Sequence, residues 1–118
     1  MQDFKKLKVW EKAHQLTLDV YTITQKFPKD EMFALTSQIR RASSSVAANI
    51  AEGCGRKSKN EFSHFLAIAI SSISEVEYFL LLSKDLNYMT QTDYEKLNSM
   101  ANETKRMLIS FQQKVEQQ

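Results

Sequence analysis

The sequence predicts an all-α protein: one domain over residues 1–118, folded as an up-and-down antiparallel four-helix bundle. Three observations carry this reading. Apolar residues recur at alternating spacings of four and three in four separate segments, the signature of one helix face. The chain has only 2 Gly and 1 Pro, too few turn formers for a protein of many short strands. The segments between stripes are short, so successive helices run antiparallel.

The first stripe is Val9, Ala13, Leu16, Val20, Ile23 and Phe27, in a helix expected over residues 5–27 and stopped by Pro28. The second is Leu35, Ile39, Ala42, Val46 and Asn49, then Gly53, in a helix over residues 31–53 with Asp30 as its cap. Gly53 and Gly55 suit a helix C-terminus that needs left-handed backbone. The third stripe is Phe62, Leu66, Ala69, Ile73, Val76 and Leu80, over residues 59–87, opened by a Ser58–Glu61 capping box. This longest helix would span about 40 Å at ~1.5 Å per residue. The fourth is Leu97, Ala101, Thr104, Leu108, Phe111 and Val115, over residues 93–115, with Thr92 and Glu95 as its capping box. Four stripes of similar length suit helices packed at shallow angles.

Composition narrows the function classes. Apolar residues make up 42% and charged residues 25%, which is globular rather than disordered. Cys54 is the single cysteine, so no internal disulfide forms. The opening MQDFKKLKVWEK has no apolar stretch of signal-peptide type. The longest apolar runs, Phe65 to Ile70 and Tyr78 to Leu82, fall short of the ~20 residues that cross a bilayer. A cytoplasmic protein without a membrane partner is expected.

Charge is uneven. Residues 1–59 carry 11 Lys/Arg against 6 Asp/Glu, and residues 60–118 carry 5 against 8. The candidate nucleic-acid contacts are Lys5, Lys6, Lys8, Lys12, Arg40, Arg41, Arg56, Lys57 and Lys59. Lys5 to Lys12 with Arg56, Lys57 and Lys59 are expected at one end of the bundle, where helices 1 and 3 begin and helix 2 ends. Such a basic end meets phosphate or an acidic protein surface; the plainer alternative is a solvated edge.

Catalytic patterns are incomplete. Two Glu-x-x-His pairs, Glu11–His14 and Glu61–His64, with Glu52 at the same end, resemble part of a di-metal carboxylate site. Helical phase argues against it. At ~100° per residue, Glu11, His14 and His64 lie about 140–200° from the centres of their core stripes and point outward. Ser43, Ser44 and Ser45 lack the glycines of a nucleophile elbow, and their expected role is to keep helix 2 narrow. No phosphate-binding glycine loop is present, since Gly53-Cys54-Gly55-Arg56 follows a helix rather than a strand. No catalytic residue, metal site or cofactor is assigned.

Two further groups point to contacts. Asn49 falls on the core stripe of helix 2, Arg41, Ser45, Ala48 and Glu52 line its flank, and helix 3 brings Ser72 and Glu75 onto a comparable flank. They are either ordinary boundary residues or a polar network that fixes register at a helix or subunit contact. Helix 3 also has a second apolar stripe, Phe65, Ile68, Phe79, Leu82 and Leu86, centred about 110° from the first. Part of it can tuck against a neighbouring helix; left exposed, it would be an apolar patch that soluble monomers seldom tolerate. Homo-oligomerisation through head-to-tail contacts is expected, and such contacts close into rings.

The segment from Ser37 to Glu77, SQIRRASSSVAANIAEGCGRKSKNEFSHFLAIAISSISEVE, resembles the four-helix-bundle family encoded in intervening sequences of bacterial 23S rRNA genes. Leu7-Lys8-Val9-Trp10, Ala13, Leu16, Tyr21, Phe27-Pro28 and Glu31 fit the same pattern, and Asn49-Ile50-Ala51-Glu52-Gly53 with Gly55-Arg56, Ser58 and Glu61-Phe62 is its most specific part. Ala34 and Ser71 stand where the family often has Gly. The resemblance implies a ring, typically a pentamer. A related branch contains the accessory variability proteins of diversity-generating retroelements, basic rings that bind a reverse transcriptase and its RNA. The expected function is therefore a non-enzymatic assembly protein that binds RNA or an RNA-handling enzyme. The alternative is a protein-only scaffold without nucleic-acid contact.

Overall fold

A computed structural model describes residues 2–118. Among them are four α-helices and no strand: α1 (Lys8–Thr24), α2 (Leu35–Cys54), α3 (Lys59–Asp85) and α4 (Gln91–Glu116). The bundle measures 45 × 24 × 20 Å. Each helix packs on its two neighbours around a square, and no diagonal pair comes into close backbone contact. The α2–α3 seam is the most extensive and the α1–α4 seam the least.

The core is the expected set of stripes. Ala13, Leu16, Val20, Ile39, Val46, Leu66, Ala69, Ile73, Val76, Leu80, Ala101 and Leu108 are all fully buried. Among the described residues the buried polar side chains are all Ser or Thr. A helical hydroxyl can donate to a carbonyl one turn back, so its burial costs little. Thr24 does so to Val20 O (2.7 Å), Ser83 to Phe79 O (2.7 Å) and Thr104 to Met100 O (2.8 Å). Asn49 departs from the expected core position. It is half-buried, its amide donates to Ser45 O (2.8 Å) and Ser45 Oγ (2.9 Å), and Ile50 takes the buried place beside it. The buried face of α2 then continues through Ile50 to Gly53 and Cys54.

Helix ends differ from expectation in several places, among them the end of α1 at Thr24 rather than residue 27 and of α3 at Asp85 rather than residue 87. The first helix begins at Lys8 rather than residue 5, because Phe4–Lys6 form a 3-10 turn capped by Asp3 and Leu7 is extended. Phe4 instead packs edge-on to Trp10, with ring centroids 5.0 Å apart. The second helix begins at Leu35 rather than residue 31. Pro28 is followed by a 3-10 turn over Lys29–Glu31, and Asp30 caps nothing. Glu31 Oε1 instead accepts from Leu35 N at 3.3 Å. The fourth helix begins at Gln91, capped by Thr90 Oγ1 accepting from Asp93 N, two residues before the expected Thr92. Gly55 is right-handed, so neither glycine supplies left-handed backbone there.

The expected cap at Ser58 is present: its Oγ accepts from Glu61 N and donates to Glu61 Oε1. The left-handed residue is Asn87 (φ 63°), at the end of α3. Asn87 N donates to Lys84 O and Tyr88 N to Ser83 O, the paired bonds that close a helix C-terminus. This turn delivers the Tyr88 hydroxyl to Glu31 Oε2 at 2.8 Å and its ring to Phe27. The α1–α2 connection is thereby fastened to the α3–α4 turn at one end of the bundle. The carboxylate of Glu31 holds the Tyr88 hydroxyl proton and raises its pKa.

Candidate functional site

The two ends of the bundle differ in chemistry. At one end α1 and α3 begin and α2 and α4 finish. The chain before α1 folds back on the end of α2, with Gln2 N donating to Cys54 O at 3.3 Å. This brings Lys5, Lys6 and Lys8 to the same end as Arg56, Lys57 and Lys59.

Their states differ. Lys5, Lys6, Lys8 and Lys57 are exposed and make no ion pair among the described residues. Lys12 pairs with Glu103 at 2.9 Å, which raises the lysine and lowers the carboxyl pKa. Arg56 reaches Glu52 at 3.2 Å and Glu61 at 3.8 Å, and its guanidinium covers the Phe65 ring at 4.7 Å. Lys59 Nζ donates to Gln118 O at 2.6 Å. Arg40 and Arg41 are elsewhere, in the first half of α2. Arg40 donates to Thr24 Oγ1 and lies over Tyr21.

Sequence reasoning missed Arg106 and Lys114. With Lys8 they edge a groove of about 420 Å³ between α1 and α4, floored by Leu7, Val9, Met107 and Phe111. None of the three cations is ion-paired. Lys114 was readable as a basic residue in the last turn of the fourth helix, where the dipole favours it. Its position beside Lys8 depends on the α1–α4 packing.

Gly53 sets how α2 and α3 meet at this end. A Cβ there would sit 2.8 Å from Phe62 Cδ1 and 3.1 Å from Phe65 Cβ. The next residue, Cys54, is buried, and burial pushes its thiol pKa up. Native protein should therefore leave Cys54 unmodified by an aromatic disulfide reagent over minutes, with full reaction in denaturant. Rapid modification without denaturant would show that this end opens readily.

Of the polar residues singled out on the α2 and α3 flanks, Ser45, Asn49 and Ser72 are hydrogen-bonded to one another, whereas Arg41, Glu52 and Glu75 are not part of that set. Ser45 Oγ and Ser72 Oγ are hydrogen-bonded at 3.0 Å, and Asn49 adds its amide to Ser45. Beside them a groove of about 490 Å³ is lined by Gln38, Arg41, Ala42, Ser45, Glu75 and Phe79. Arg41 and Glu75 are unpaired there. Glu52 lies outside the groove, paired with Arg56.

The second apolar stripe of α3 divides. Phe79 and Leu82 pack partly against the core, Phe65 and Ile68 are half-buried, and Leu86 is exposed. Exposed apolar residues gather toward the end opposite the basic one: Met32, Phe33, Tyr78, Leu81 and Leu86. Phe33 is 97% exposed and was missed from the sequence, because it lies in a connection outside every stripe.

His14 stacks on Trp10 and His64 lies edge-on to Phe65; both are exposed, as their phase predicts. Among the described residues no three of His, Cys, Asp and Glu converge as a metal site would require.

The comparisons with known proteins agree with this architecture. The family of 23S rRNA-intervening sequence proteins matches residues 5–110. The chain belongs to that family. A similar solved structure is a protein of unknown function from the S23 ribosomal protein family of Bacteroides thetaiotaomicron. It shares 28% identity, covers 89% of this chain and 95% of its own, and superposes with a TM-score of 0.83. No curated protein matches. The intervening-sequence match spans all four helices, although the residues that carry the resemblance lie in the first three.

Proposed function

We propose that this intervening-sequence protein is a non-enzymatic assembly protein. It self-associates into a ring, a pentamer by family resemblance, and presents its basic end to RNA. One observation supports the RNA reading most: Lys5, Lys6, Lys8, Lys57, Arg106 and Lys114 come from three separate stretches of chain, carry no ion pair, and lie at or toward one end. A ring repeats this patch and converts weak phosphate contacts into useful avidity. The family resemblance, through its retroelement branch, suggests an RNA-handling enzyme such as a reverse transcriptase as the protein partner. The exposed apolar end favours a second reading, a protein-only scaffold.

A titration of labelled single-stranded RNA at low and moderate salt tests the first reading. Binding should weaken steeply with salt and depend little on sequence. Lys5→Glu, Lys6→Glu and Lys57→Glu together should weaken it at least tenfold without changing helicity, since none of the three is paired. No binding at low salt, or binding indifferent to the triple change, leaves the scaffold reading.

A further inference from the structure

The α1–α2 connection presents Met32 and Phe33 to solvent beside the exposed Lys29 and Asp30, and neither charged residue makes an ion pair. A phenylalanine 97% exposed on a connection fastened by Tyr88 and Glu31 is a rigid anchor without a socket on its own chain. We propose that Phe33 of one copy seats in the α2–α3 groove of the next copy, with Lys29 and Asp30 meeting the unpaired Glu75 and Arg41 there. The inference rests on the assembly reading and names the joint that reading needs.

Three features favour a second copy as the occupant. The first is charge: the anchor carries an unpaired cation and anion, and the groove carries an unpaired anion and cation. The groove is largely polar, with Ala42 and Phe79 as its apolar members, and pairing the charges around Phe33 fixes the register of the contact. The second is height. The anchor precedes α2 and the groove begins at Gln38, three residues into it, with Glu75 and Phe79 in the latter half of α3. Anchor and groove thus lie toward the same end of the bundle. Side-by-side copies can engage without an axial slide, as a closed cyclic ring requires. The third is direction. The anchor belongs to the α1–α2 seam and the groove to the adjacent α2–α3 seam, so successive contacts turn a corner and favour closure over a straight filament. A standard contact buries about 800 Å² per partner around a central aromatic anchor. Phe33 alone cannot supply that area; the exposed Tyr78 and Leu86 lie toward the same end of the bundle and add apolar surface there.

Light scattering coupled to size exclusion tests the joint with two single variants and their mixture. Wild type should run as a closed oligomer. Phe33→Ala keeps the groove and loses the anchor; Glu75→Arg keeps the anchor and reverses the groove. Each should be monomeric at 13.7 kDa with wild-type helicity, since both side chains are exposed. An equimolar mixture should form a dimer and nothing larger, because one intact anchor and one intact groove remain per pair. If wild type is oligomeric but either variant keeps its mass, or the mixture stays monomeric, this joint is wrong while self-association stands. A monomeric wild type would remove both.

Discussion

Ile73→Asp should abolish folding. Ile73 is fully buried at the middle of α3, on the same stripe as the buried Leu66, Ala69, Val76 and Leu80. No cation lies on that stripe, so the new carboxylate has no partner. An unpaired buried ion costs several kcal/mol after relaxation, and protonating it still leaves a polar group and a lost apolar side chain. A domain of this size holds about 5–15 kcal/mol in total. Circular dichroism at neutral pH should show loss of helix at 25 °C. Ser71→Asp, two residues away on the exposed face, should melt within about 0.5 kcal/mol of wild type. A soluble Ile73→Asp protein with native helicity would refute the core assignment.

Gly53→Ala should destabilise the bundle although alanine is the better helix former. Removing a glycine from a helix interior gains up to about 1 kcal/mol, and less this close to its end. Against that, the added methyl would meet the Phe62 ring at 2.8 Å and Phe65 Cβ at 3.1 Å. The ring edge can swing away, but Phe65 Cβ moves only with the backbone of α3. Overpacking of this kind costs about 1–3 kcal/mol. The net loss is about 1–2 kcal/mol, a drop in Tm on the order of 3–10 °C. Phe62→Leu should be less harmful in the Gly53→Ala background than in wild type, because it removes one of the two contacts. A Gly53→Ala protein that melts above wild type would show that α2 and α3 are free to separate.

The structure bears out what depended on periodicity. Stripes of 3.6-residue period fix which face is buried, and Leu16, Ile39, Ile73 and Leu108 are where that rule puts them. What depended on turn chemistry was read less well. The first helix ended at Thr24, three residues short of the expected end before Pro28, Asp30 went into a 3-10 turn, and Glu31 supplied the acceptor for Leu35 N from four residues away. The cap expected at Thr92 lies at Thr90 instead, because helical backbone already begins at Gln91. The Asn49–Ile50 exchange shows the limit of a strictly alternating stripe: the buried step from Val46 is four residues, to Ile50, rather than three. The α2–α3 polar flank was legible because its residues share one helical face. The role of Arg106 beside Lys8 was not, since nothing local in α4 marks which helix it will adjoin. Phe33 escaped for a related reason: a single aromatic in a connection has no period to betray it.

The most apolar helix has an awkward composition. The uninterrupted apolar runs of α3 are short. Contrary to the expectation from those runs, the helix as a whole is long and apolar enough to span a membrane by length and composition alone, and 33% of its apolar window is buried in the bundle. Its safety outside a bilayer therefore depends on covers supplied by other segments. The largest of these is α2, and α2 comes earlier in the chain. When α3 leaves the ribosome, the partner for its most extensive seam has already been made. A short link between them keeps the entropic cost of closing that hairpin low. At roughly 5–20 residues per second, α4 follows within seconds to cover the second side. The order of helices along the chain thus limits how long the greasiest segment stands uncovered during synthesis.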